Sequence, residues 1–143
     1  MNLKGSKTEA CLKAAFAVEA QANRRYLYFA NIADIKGAPE TANLFRSLAD
    51  GESGHALGHL EYLVNGGAGD PETGLPADAI TDALESALAC ETREYSEMYP
   101  DMARTARAEG FDEIADWFEA LIRAERSHAN KIARALAAQR DKA

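Results

Sequence analysis

The sequence predicts an all-α chain, folded as a four-helix bundle with one long crossover between the second and third helices. Two observations carry this. Apolar residues return at steps of three, four and seven along most of the chain, which is the period of one helix face. The pattern breaks at Gly37 to Pro39, at NGGAGDPETGLPAD over residues 65–78, and at Gly110. Short connections join antiparallel neighbours, and a long one crosses the bundle.

The first helix is expected over residues 6–36, with Ser6 as cap, Glu9 closing a capping box and Gly37 as the stop. The second is expected over 39–64, opened by Pro39, a favourable first-turn residue. The third is expected over 78–109, with a kink at Pro100, where a backbone bond is lost and the preceding turn is crowded. The fourth is expected over 112–139. Two short links and one long one make this the ferritin-like arrangement, a single domain over residues 1–143.

Composition narrows the function. A net charge of −7 with dispersed basic residues argues against nucleic acid or an anionic membrane as partner. There is no long apolar run and no signal-like N-terminus, so a cytoplasmic protein without a membrane span is expected. Cys11 and Cys90 form no metal or disulfide framework, which fits a reducing compartment. Both are expected to be small buried residues rather than redox centres.

Each helix interrupts its apolar stripe with carboxylates near its middle. The first stripe holds Leu12, Phe16, Glu19, Tyr26 and Ala33, and the second holds Phe45, Leu48, Glu52, His55 and His59. The third holds Leu84, Leu88, Glu91, Glu94 or Tyr95, and Met98. The fourth runs through Ile114, Phe118, Leu121, Glu125, His128, Ile132 and Ala135. Inward-facing carboxylates need either a cation or protons to offset them.

The companions of a metal site are present. GESGH contains Glu52 and His55, and ERSH contains Glu125 and His128. Glu-x-x-His on two helices, with one Glu from each of two others, is the ligand set of di-iron and di-manganese carboxylate bundles. Glu19 with Glu52 and His55 makes one half, and Glu91 with Glu125 and His128 the other. The intervals agree, 33 residues from Glu19 to Glu52 and 34 from Glu91 to Glu125, so the chain reads as two copies of one helical hairpin. Mixed imidazole and carboxylate ligands suit iron, manganese or zinc rather than calcium or magnesium.

Along nearly its whole length the sequence resembles rubrerythrins. The likeness is carried by AFAVEAQANRRYLYF (15–29), GESGHA (51–56), CETREYSEMYPDMAR (90–104) and AERSHA (124–129). It implies a ferritin-like bundle holding two non-haem iron ions and reducing hydrogen peroxide to water. It implies Glu19, Glu52, Glu91, Glu94, Glu125 and His128 as metal ligands, with His55 conditional. One iron is expected to move between His55 when reduced and the surplus carboxylate Glu94 when oxidised, since a ferric ion gains more from another anionic oxygen. Tyr26 and Tyr99 align with tyrosines that hydrogen-bond the site, and are expected to orient carboxylates.

The sequence also departs from that pattern. Many rubrerythrins carry a C-terminal rubredoxin domain with four iron-binding cysteines, whereas no cysteine follows Cys90 here. Electrons are therefore expected from a separate donor, a rubredoxin-like protein or a reductase. Gly51, Gly54 and Gly58 share one stripe of the second helix, each destabilising it by about 1 kcal/mol relative to Ala. They imply either close approach of another helix or looseness near His55. His59 reads equally as a core histidine or as a neighbour of the ligands.

The expected function is peroxide reduction. A ferroxidase or iron-handling protein is the alternative, because the same ligands can oxidise ferrous iron with oxygen. Metal ions as structural staples form a third reading, weakened by the fifth carboxylate. A homodimer is expected, and the 65–78 connection is long enough for helices to exchange between chains.

Overall fold

A computed structural model describes residues 1–142. Among them every regular element is helical. The chain forms two compact units, Met1–Pro71 and Glu72–Ala143, that meet within the long connection. No helix of the described residues is long and apolar enough to cross a membrane.

The first unit is an antiparallel hairpin of α1 (Lys7–Ile35) and α2 (Pro39–Asn65). Ser6 caps α1 by accepting the Glu9 N–H at 3.0 Å. Glu9 reaches past the cap and accepts from Gly5 N–H at 2.7 Å, because the Ser6 N–H is already bonded to Leu3 O. Gly37 turns the chain with φ at 75°, a left-handed value that glycine adopts without steric cost. The helices meet along small residues: Ala22, Ala30 and Ala33 on α1, and Ala42, Ala49, Ala56 and Leu63 on α2. Steps of seven on α2 keep that line on one side, and alanine lets the two backbones approach. Asn23 crosses the seam, its Nδ2 donating to Ala49 O at 2.8 Å.

The buried line is not the stripe that periodicity singled out. Phe45, Glu52 and His59 flank the Ala42–Ala49–Ala56 line, and Leu48 and His55 are exposed. The reason is geometric: a pair of helices has one line of closest contact, small side chains occupy it, and the larger stripe lies beside it. Each unit therefore carries its carboxylates half-buried rather than fully enclosed.

The start of the long connection folds back on the hairpin. Leu3 N–H donates to Gly66 O at 2.8 Å, and Leu3, Leu63 and Ala68 form a small buried cluster with Leu12 against it. A side chain at position 66 would collide with Leu3 and with Tyr62 O, so glycine is required by the close approach. By contrast, a Cβ at Gly51, Gly54 or Gly58 would meet nothing within 4 Å. Nothing described in the first unit needs these three glycines for space.

In the second unit α3 (Ile80–Arg93), a π-helical turn (Glu94–Met98) and α4 (Tyr99–Ala108) follow one another and pack on α5 (Asp112–Asp141). The third helical stretch is thus not one α-helix kinked at Pro100. Its irregularity lies just before the proline, where Tyr99 N–H bonds back five residues to Glu94 O. Pro100 has no N–H to offer, and it sits in the first turn of α4, where none is needed. Ala103, Ala106, Ala115, Ala129 and Leu136 form the buried line here. It again runs beside the expected stripe.

Cys11 was expected to be buried and is exposed. It precedes Leu12 on α1, and one helical step of about 100° turns it off the packed side. Cys90 is half-buried.

Candidate metal centre

Each unit gathers three ligands of its own. In the first, Glu19 on α1 meets Glu52 and His55 on α2. In the second, Glu91 on α3 meets Glu125 and His128 on α5. In both groups the candidate ligand atoms lie within 4.8 Å of one another. Ligands on opposite sides of one ion, at roughly 2.1 Å each, stand about 4.2 Å apart. Small side-chain movements therefore suffice to close either group on a cation.

The two groups repeat the same geometry. His55 Nδ1 lies 3.5 Å from Glu19 Oε1 and 3.8 Å from Glu52 Oε2. His128 Nδ1 lies 3.6 Å from Glu91 Oε1 and 3.5 Å from Glu125 Oε2. The helical reason is the i, i+3 spacing, which puts each Glu-x-x-His pair on adjacent turns of one face. The glutamates are half-buried, while the side chains of His55 and His128 are 63% and 52% exposed. The carboxylates can be held while the imidazoles stay accessible.

Two oxygens test whether a cation fits. Glu19 Oε2 and Glu91 Oε2 are buried and accept no hydrogen bond. An orphaned buried carboxylate oxygen demands a partner; a metal ion within the second group provides one for Glu91, whereas Glu19 Oε2 also has His59 Nε2 nearby. The donor set is that of a transition metal, so the residues present fit it.

Electrostatics in the second unit lead to the same demand. Burial pushes the Glu91 carboxyl up to about 8, and contact with Glu125 adds to it. Glu94 is also raised, by burial first and by Glu125 second. Glu125 is held below the usual range, chiefly by its hydrogen bond with Glu91. Three carboxylates thus share protons in the absence of a cation.

Glu94 joins this cluster from the first position of the π-helical turn, beside Glu91 and Glu125. Glu94 keeps α-helical backbone, its N–H bonded to Cys90 O, so it stands one turn beyond Glu91 on the same face. Tyr99 lies near the same three glutamates, and burial followed by their charge raises its phenol. Its ring stacks on Phe118 at 6.0 Å. Tyr26 is placed differently, packed against Phe29 and Phe45 at 6.4 and 6.1 Å.

Two contacts escaped the sequence reading, and a third decides between the two readings left open for His59. Asn23 holds the α2 backbone at Ala49, and its only signal was a polar residue on α1 four positions after Glu19. Cys90 Sγ lies 3.6 Å from Glu94 Oε1 and donates to it. Burial first and the Glu94 charge second push that thiol up to about 11, so it stays protonated and unreactive at neutral pH. His59 Nε2 lies 2.6 Å from Glu19 Oε2.

The chain is similar to known proteins along most of its length. A family model described as Rubrerythrin matches residues 10–136. A rubrerythrin of Nitratidesulfovibrio vulgaris is 40% identical over 134 residues, covering 92% of this chain and 70% of that protein. A rubrerythrin of Porphyromonas gingivalis is 37% identical over 139 residues, covering 95% and 69%. Symerythrin of Cyanophora paradoxa, in a crystal structure reduced with dithionite, aligns at 28% identity with a TM-score of 0.44, over 93% of this chain and 85% of that one. The family match spans most of the sequence and includes all seven candidate ligands: the chain belongs to the rubrerythrin family.

Proposed function

We propose that the two Glu/Glu/His groups hold the iron ions of a di-iron protein. On this reading the protein reduces hydrogen peroxide to water, with electrons from a separate donor protein, as a defence against oxidative stress. The observation that supports it is the repeated three-ligand geometry, to which Glu94 adds a surplus carboxylate on one side. Bound iron supplies one electron per ion and Lewis acidity toward the peroxide oxygens, so that peroxide, two electrons and two protons give two waters.

The chain's own residues have separate tasks. Glu19, Glu52, Glu91, Glu125 and His128 hold the metal pair. His55 adds a neutral ligand to the first group and Glu94 a surplus anionic one beside the second, which suits ions of different charge. Cys90 donates to Glu94 at 3.6 Å, steadying that carboxylate when it is not a ligand. Tyr99 remains a protonated phenol beside Glu91, Glu94 and Glu125, a donor for carboxylates whose charge changes. Tyr26 supports the first unit through ring packing.

The test is rapid mixing of anaerobic, Fe(II)-loaded protein with hydrogen peroxide and, separately, with oxygen, following ferric absorbance. Peroxide is expected to oxidise the protein far faster than oxygen does, with the reaction stopping at about two irons per chain. Equal rates, with ferric iron accumulating beyond that, would show an iron-handling ferroxidase instead.

A further inference from the structure

The two oxygens of Glu19 face different histidines. Oε1 lies 3.5 Å from His55 Nδ1, and Oε2 lies 2.6 Å from His59 Nε2. His59 is a turn further along α2 than His55 and is 28% exposed. Oε2 is buried and accepts no aligned hydrogen bond, so the nearby ring nitrogen is the donor placed to answer it.

The second unit supplies the contrast. Glu91 corresponds to Glu19: its Oε1 faces His128 Nδ1 at 3.6 Å, and its Oε2 is likewise buried without a partner. One turn beyond His128 stands Ile132, which has no donor to give. The same carboxylate position therefore has a histidine one turn beyond the ligand in one unit and an isoleucine in the other.

We propose that His59 is a positioning residue for Glu19: Nε2–H holds Oε2 and commits Oε1 to the metal. This rests on the di-metal reading above. A ligand whose outer oxygen is already held loses less freedom when it binds, and such partners typically carry a tenfold to hundredfold share of metal affinity. The consequence is an unequal pair of sites. Glu19 offers a single oxygen, and only the site containing Glu19 depends on a histidine that is not itself a ligand.

The experiment is calorimetric titration of the metal-free, full-length protein with manganese(II), for the unsubstituted chain, His59→Leu and His59→Gln. Helix content of each metal-free protein is followed by circular dichroism. The unsubstituted chain is expected to bind two ions, and His59→Leu to weaken one of them roughly 10- to 100-fold while sparing the other. Glutamine, whose amide can donate, is expected to restore most of that loss. Fewer than two ions in the unsubstituted chain would overturn the di-metal reading and this role with it. Two ions with unchanged affinities in His59→Leu would overturn the role alone. So would a loss of affinity that comes with lost helix content, which would make His59 a packing residue. Glutamine as weak as leucine would also overturn it, pointing to direct ligation by the imidazole.

Discussion

Glu91 occupies a place where three carboxylates have little water between them. Its carboxyl is pushed up to about 8 from an ordinary value of 4.5, by burial first and Glu125 second. The metal-free folded chain therefore keeps a proton that the unfolded chain has released. Stability falls as pH rises wherever the native state binds more protons, so the thermal midpoint of metal-free protein is expected to drop as pH rises from 4.5 to about 8. Glu91→Gln is expected to remove most of that slope. Metal uptake at neutral pH should also release a proton from this group, seen as a buffer-dependent heat in calorimetry. Glu94 supports a different expectation. Glu94→Ala is expected to keep both ions yet slow peroxide turnover by roughly tenfold or more. Unchanged turnover in that variant would remove the case for a surplus ligand. The residues forming the three-ligand groups were legible in the sequence because Glu-x-x-His fixes two ligands on one helix face. The His59 contact was legible only as one of two alternatives, because it depends on how far along α2 the Glu19 side chain reaches from another helix.

At the scale of elements, caps and stops were legible and the phase of packing was only partly so. Ser6, Gly37, Pro39 and Gly110 act through local backbone chemistry, which neighbouring residues determine. The contact line within each hairpin depends on which side chains let two helices come closest. That line went to alanines such as Ala42, Ala49 and Ala56, residues whose weak apolar signal is outweighed by Phe45 and Leu48. The π-helical turn at Glu94–Met98 was read as a kink at Pro100, since one extra residue in a helical turn leaves little trace in a periodic pattern. Deleting the exposed Ser96 is expected to restore regular α-helix and rotate the preceding residues by about 100° against the following ones. Helix content should hold while peroxide turnover slows as it does in Glu94→Ala, and unchanged turnover would show that the wide turn plays no part in the site. The glycines of α2 give another test. A Cβ at Gly54 meets nothing within 4 Å, so Gly54→Ala is expected to stabilise the protein by about 1 kcal/mol in chemical denaturation. A loss of stability would mean that another helix closes on that face.

For the whole molecule, the long Gly/Pro-rich connection and the near-equal ligand intervals in sequence correspond to two units that each hold one three-ligand group. The repeat was legible because it is written in spacing. The short tie between Leu3 and Gly66 was not, because it joins residues far apart in sequence. The bond from Asn23 to Ala49 O has a consequence for how the molecule breathes. It fastens α2 to α1 just before Gly51, the first of three glycines on an exposed or half-exposed face. Opening fluctuations that begin among those glycines meet a backbone tie at Ala49 on one side and, nearby on the other, only side-chain contacts at Ala56 and His59. Amide hydrogen exchange should therefore be uneven along a single helix, slow up to Ala49 and faster from Gly54 through Gly58, with Asn23→Ala erasing the boundary. The ligand-bearing turn of α2 would then be the part of the helix that opens on its own, while its first half stays closed against α1.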